Sequence, residues 1–292
     1  MNPVITQAVT PESLVSQVQN LFSMPDTAIK LNELVGQPDT TNQEIIDVLQ
    51  LDTALAATVL RLANSAWYGL PHKVDTLSRA VTLIGHSALR DLVMAAGFIK
   101  RFQGIPSEFV NMKTFWDNSV ACGVAARNIS KRLRLASGEQ IFLAGLLHKI
   151  GRLVFFASSP TQYHQVLIST EGGEAGLIRA EREVFGFTYA ALGGELLKQW
   201  NLPAILQSVV THQLDSDACT DYPRERAVLE VAADMAQFLS PDIKLGPGEV
   251  RYFPNISEVV WADLGLTREA LDEITEISVV QAFELIELIN AG

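Results

Sequence analysis

Apolar residues recur at helical spacing along most of the chain: Leu51, Leu55, Val59 and Leu62, then Leu89, Leu92, Val93 and Ala96, then Val228, Val231, Met235 and Leu239. Each set shares one face of a helix, and strand-like alternation is nearly absent, so the pattern predicts an all-α protein. Punctuation agrees with this. Thr41 followed by Glu44, and Ser137 followed by Gln140, have the spacing of capping boxes, in which two free amides at a helix start are satisfied reciprocally. Thr10-Pro11-Glu12 puts proline at a first helical position and an acid in the first turn. Breaks are expected at Gly36-Gln37-Pro38, Gly69-Leu70-Pro71, Gln103-Gly104-Ile105-Pro106, Glu171-Gly172-Gly173 and Leu245-Gly246-Pro247-Gly248. They divide the chain into residues 1–105, 106–215 and 216–292, with no fixed-period repeat. Residues 243–262 are the least regular and suit a short hairpin or an extended excursion.

Composition narrows the class. With 48% hydrophobic residues among 292, the chain can bury a sizeable core, and 19% charged residues are too few to hold it disordered. A formal charge of −11 repels phosphate backbones and anionic bilayers, so nucleic acid and membrane surfaces are disfavoured as partners. The one basic stretch, Arg127 to Arg134, is interrupted by Ile129 and Leu133 and reads as the wet face of an amphipathic helix. Cys122 and Cys219 lie far apart with no thiol or histidine at metal-ligand spacing, which suits a reduced compartment. Met1 to Pro11 lacks a signal-peptide pattern, and no segment has the roughly 18 uninterrupted apolar residues of a membrane span. A soluble, cytoplasmic protein is expected.

Two stretches carry a resemblance. The first runs from Leu51-Asp52-Thr53-Ala54-Leu55 through Leu60-Arg61-Leu62-Ala63-Asn64-Ser65-Ala66-Trp67-Tyr68-Gly69 to Ala80-Val81-Thr82-Leu83-Ile84-Gly85. The second joins Phe115-Trp116-Asp117-Asn118-Ser119, Ala144-Gly145-Leu146-Leu147-His148-Lys149-Ile150-Gly151, Phe185-Gly186-Phe187-Thr188-Tyr189, Trp200-Asn201-Leu202-Pro203 and Thr211-His212-Gln213. In this order they resemble the HDOD family, bacterial relatives of the HD-superfamily metal hydrolases, over about residues 20–215. The resemblance implies an HD-like multi-helical bundle: an N-terminal helical part to residue 105, an HD-like core over 106–215, and C-terminal helices completing it. By their own chemistry Asn64 and Ser65 offer capping or loop hydrogen bonds. Trp67 and Tyr68 pack their loop on the core or form part of an interaction surface.

The resemblance also implies a site, and shows it damaged. HD-type hydrolases hold a divalent metal through an early histidine, a His-Asp dyad and a later aspartate, and the metal activates water against a phosphoester. Here Asn118 stands where the first histidine is expected and Lys149 where the dyad aspartate is expected, the latter exchange altering local charge by two units. Tyr189 replaces a histidine of many relatives, and Gln213 replaces the second member of a His-His pair. His148, His212 and Asp234 survive. His148, in a helix expected over Phe142 to Phe156 and apolar on nearly all sides, reads as a buried neutral histidine. Direct bonding of His148 to Asp234, and pairing of Lys149 with Asp234, both remain open. Gly172-Gly173 and Gly193-Gly194 lack the setting of phosphate loops and read as a loop and a close helix contact.

The expectation is therefore a non-catalytic signalling module without cofactor or metal, binding a signalling protein or a small regulatory ligand. The alternatives are a phosphohydrolase or cyclic-dinucleotide phosphodiesterase with an altered site, and a nucleotide sensor in which Lys149 and an arginine hold a phosphate without hydrolysing it. Val228 to Leu239 and Thr267 to Ile289 are expected as helices that complete the core or offer a docking face; for the latter, with its stripe of Leu271, Ile274, Ile277 and Phe283, core packing is the stronger reading.

Overall fold

The computed structural model describes residues 9–18, 26–65, 68–69, 72–101, 110–169, 173–215, 218–239, 256 and 258–290. Trp67, Leu70-Pro71, the 103–106 break, Glu171-Gly172 and residues 243–255 and 257 of the irregular stretch lie outside them. Among the described residues the protein is all-α, with no strand: α1 (Pro11–Val18), α2 (Asp26–Val35), α3 (Asn42–Gln50), α4 (Thr53–Ala63), α5 (Leu77–Ile84), α6 (His86–Arg101), α7 (Met112–Arg132), α8 (Gly138–Leu147), α9 (Ile150–Ser158), α10 (Pro160–Ser169), α11 (Gly173–Phe185), α12 (Tyr189–Gln199), α13 (Ala204–Thr211), α14 (Pro223–Leu239), α15 (Glu258–Leu264) and α16 (Arg268–Asn290).

The caps explain some of these boundaries and correct one expectation. Thr41 and Glu44 form the full capping box of α3. Ser137 makes no cap bond; its backbone is not extended, and its hydroxyl donates instead to Glu225 Oε1 at 3.0 Å, tying the start of α8 to α14. Asn64 ends α4 as a two-way clamp. Its Nδ2 donates to Val74 O and its Oδ1 accepts from Val74 N, so one side chain fixes the loop between α4 and α5.

Two apolar clusters form. The smaller gathers α2 to α6 around Leu31, Ile45, Leu49, Val59, Val81 and Leu89. The larger is built on α7, α8, α9, α12, α13 and α14, and it also takes Leu14, Val15 and Val18 of α1. α6 serves both, giving Leu89 and Val93 to the smaller and Leu92, Met94 and Phe98 to the larger, where Phe98 stacks on Trp200 at 4.6 Å. α7 and α8 touch through glycines, since a Cβ on Gly145 would stand 2.7 Å from Gly123 Cα. The expected close contact at Gly193-Gly194 is present too, against Val210 and Thr211 of α13. The stretch Gly138–Ser158 has the length and composition of a membrane span, but 78% of its apolar window is buried in this core.

Three expectations need correction. The run Phe142 to Phe156 is two helices rather than one, broken at His148-Lys149. The end of the 243–262 stretch is helical, as α15. In α16, Leu271 and Ile274 are buried, but Ile277 and Phe283 are 52% and 65% exposed. The buried face there runs instead through Ser278, Ala282, Leu285 and Ile286, because α16 carries apolar residues on more than one side and packing against α7 selects the phase. The basic stretch behaves largely as expected: Ile129 is buried while Lys131 and Arg132 are exposed. Arg127 turns inward, however, pairing with Glu139 at 2.8 Å and lying over the Tyr68 ring at 5.5 Å.

Candidate functional site

Residues Ile141 to Leu147 of α8 are buried on every side, as a helix apolar all round requires. The chain turns at His148 and Lys149 and restarts as α9. His148 goes inward. It is wholly buried, its Nδ1 donates to Gly145 O at 2.6 Å, and burial pushes its pKa down to about 3, so it is neutral. Its Nε2 is buried without a hydrogen-bond partner, which costs about 1–3 kcal/mol. Gln213 closes the turn, its Nε2 donating to His148 O at 2.7 Å and Val210 O at 2.9 Å, which satisfies carbonyls left by two helix ends.

Lys149 goes the other way, to the wall of a cavity of about 710 Å³. Its Nζ donates to Asn118 Oδ1 at 3.1 Å, and Asn118 Nδ2 donates onward to Ala236 O at 3.1 Å. This relay links the turn to α7 and α14. Desolvation first, and then the nearby Arg152 guanidinium, bring the ammonium down to about 8, still charged at neutral pH. Cys122, one turn along α7 from Asn118, is wholly buried, and its thiol is pushed up to about 12 by desolvation.

The cavity brings together Lys149, Tyr189, Gln213 and Asp234 of the positions singled out from the sequence. Asn118 joins them through Lys149. His148 lies behind the wall, and His212, at the end of α13, does not line the cavity. Neither open pairing forms: His148 bonds Gly145 O and Lys149 bonds Asn118, so Asp234 receives neither. Asn64 and Ser65 stand apart, and their side chains bond Leu60, Leu62 and Val74 of their own region. Tyr68 is half-buried against the larger core.

Other residues of the site escaped the sequence reading. Glu174 of α11 forms an ion pair with Arg152 and accepts from the Tyr189 hydroxyl; the Arg152 guanidinium, working against desolvation, holds the Glu174 carboxyl down at about 2. Arg152 lies over the Tyr189 ring at 4.6 Å. Glu181 is wholly buried and accepts from Tyr163 Oη and Tyr189 N, each at 2.8 Å; burial raises its pKa. On α14, Arg226 pairs with Glu230 one turn below Asp234. The signal was the four-residue spacing of Arg226, Glu230 and Asp234, which puts all three on one helix face.

A metal does not fit this set. Asn118 has both ends of its amide engaged, Lys149 presents a cation, and His148 is sealed from the cavity, so the donors that would converge on an ion are occupied or absent. Among the described residues, no group of three His, Cys, Asp or Glu side chains could hold one.

His148 gives a pH test. Its folded pKa is depressed to about 3 from the 6.5 of an exposed imidazole, so the unfolded chain binds the extra proton, and stability falls with pH below about 6.5. Between pH 7 and 5.5 the wild type is expected to lose about 1 kcal/mol relative to His148→Gln, measured by urea denaturation at each pH. Asp91, raised to about 7 by burial, works in the opposite sense but equally in both proteins, and cancels in the difference. Parallel pH profiles would show that His148 is not sealed.

The sequence model of the HDOD domain matches residues 21–216. An uncharacterized protein of Treponema pallidum (strain Nichols) is 27% identical over 206 residues, covering 65% of this chain and 37% of its own length, so the chain spans little more than a third of that relative. A crystal structure from Shewanella amazonensis SB2B, provisionally named a phosphohydrolase, superposes with TM-score 0.73 at 23% identity, covering 95% of this chain and 98% of its own. An HDOD domain protein of unknown function from Geobacter sulfurreducens gives 0.70 at 20% identity, with 96% and 97% covered. A provisionally named signal transduction protein from Marinobacter aquaeolei VT8 gives 0.70 at 21%, covering 94% of this chain and 60% of its own. At these identities the likenesses establish the fold.

Proposed function

The chain belongs to the HDOD domain family, and from the state of its would-be metal centre we propose that it is a non-catalytic regulatory module that works by binding. Its partner on this reading is a signalling protein or a small regulatory ligand. One observation carries the proposal: Lys149 Nζ is hydrogen-bonded to Asn118 Oδ1 at 3.1 Å. The two side chains at the positions of expected metal ligands are thus partners of each other. Metal activation of water for attack on phosphorus needs a multiply charged ion with an open coordination position, whereas an ammonium bound to an amide carries a single charge and has no such position.

The test is turnover. Purified protein is incubated with bis(4-nitrophenyl) phosphate and manganese or ferrous iron, and release of nitrophenolate is followed. The wild type is expected to match the no-protein control, with His148→Ala indistinguishable from it. Turnover by the wild type that disappears in His148→Ala would overturn the proposal.

A further inference from the structure

Lys149 has no ion pair of its own: the carboxylate acting on it, Glu174, is paired with Arg152. Its ammonium has three donors, and the acceptor it finds is one neutral amide oxygen; among the described residues no carboxylate lies within ion-pair distance of it. A half-buried ammonium with no ion pair of its own is better satisfied when an anion enters beside it. The space for that is present, because Lys149 lines a cavity of about 710 Å³, well inside the range that holds small organic ligands. The neighbouring charges are otherwise engaged: Arg226 is held by Glu230, and Glu174 by Arg152.

We infer that this cavity binds a small organic molecule bearing one negative group, a carboxylate or a phosphate monoester, with Lys149 as the partner of that group and Asn118 holding the ammonium in place. The inference rests on the reading that no metal occupies this site. The lining limits the ligand further. Arg226 is already held by Glu230 and Glu174 by Arg152, so the positive charge that Lys149 brings to the cavity suits one anionic group rather than a di- or triphosphate. The remaining wall includes Ile178, Leu214 and Leu229, which suit an apolar body attached to the anion. Nothing in this arrangement makes or breaks a covalent bond; the site holds its ligand.

Calorimetric titration of the full chain in EDTA tests this with phenyl phosphate, benzoate, inorganic phosphate and ATP. Phenyl phosphate or benzoate is expected to bind one per chain, the tighter of the two identifying the anion. At about a hundredfold excess over its Kd it should raise the melting temperature by about 5 °C. Inorganic phosphate, lacking the apolar body, is expected to bind about tenfold more weakly. Lys149→Met should weaken binding about tenfold or more, and Lys149→Arg should restore most of it. Equal binding by wild type and Lys149→Met, tighter binding of ATP than of phenyl phosphate, or no binding of either aryl probe at millimolar concentration would overturn the inference. Repeating the titration with manganese in place of EDTA separates the two levels. Binding that appears with manganese alone would overturn the metal-free reading, whereas absence of binding under both conditions would overturn only the ligand.

Discussion

Gly151→Ala is expected to lower the melting temperature by about 10 °C, the consequence of losing about 4 kcal/mol or more. Gly151 opens α9 just after the His148-Lys149 turn, where α9 crosses α12. A Cβ built there would stand 1.9 Å from Tyr189 O and 2.7 Å from Gly193 N. Both are backbone atoms of a helix, so no rotamer change relieves the overlap, and the two helices must separate. Separation would also disturb the site, because Tyr189 carries the ring under Arg152 and the hydroxyl on Glu174. Thermal unfolding followed by circular dichroism measures this directly. A shift below about 2 °C would mean that the crossing is not as tight as described.

Lys149→Met is expected to act in the opposite direction, stabilising the protein by about 1–2 kcal/mol at pH 7. The ammonium is brought from 10.5 to about 8 mainly by desolvation, so holding its charge costs stability. The partial exposure of Lys149 reduces that cost, and so does the bond to Asn118 that methionine gives up. The pH dependence follows from the sign of the shift. Between about 8 and 10.5 the unfolded chain keeps the proton that the folded chain has lost, so wild-type stability rises with pH across that window. The advantage of Lys149→Met should therefore shrink towards zero by about pH 10. Urea denaturation at pH 7 and near pH 10 is the measurement. A destabilised Lys149→Met at pH 7 would show that the lysine supports the fold instead of serving the cavity.

The helices were legible in the sequence because periodicity and caps are local. Thr41 and Glu44 form their box as spaced, and Gly193-Gly194 marks a close helix contact. Family membership was legible from the order of many short motifs. The site was legible only in parts. Asn118 and Lys149 stood out singly, but the bond between them spans 31 residues and depends on how α7 meets α8 at Gly123 and Gly145. Nothing local encodes that meeting. By residue type alone, Arg152, Glu174, Arg226 and Glu230 are indistinguishable from solvated helix faces, since facing a cavity and facing bulk water demand the same residues. Ser137 missed its cap for a related reason: Glu225, distant in sequence, competes for the hydroxyl.

What most directly tests whether an ammonium has taken the place of the metal is elemental analysis of the protein purified without chelator, after equilibration with manganese, iron and zinc and removal of free ions. The wild type is expected to retain far less than one ion per chain, with no difference between it and His148→Ala. One tightly held ion per chain, lost when either His148 or Asp234 is replaced by alanine, would contradict the account.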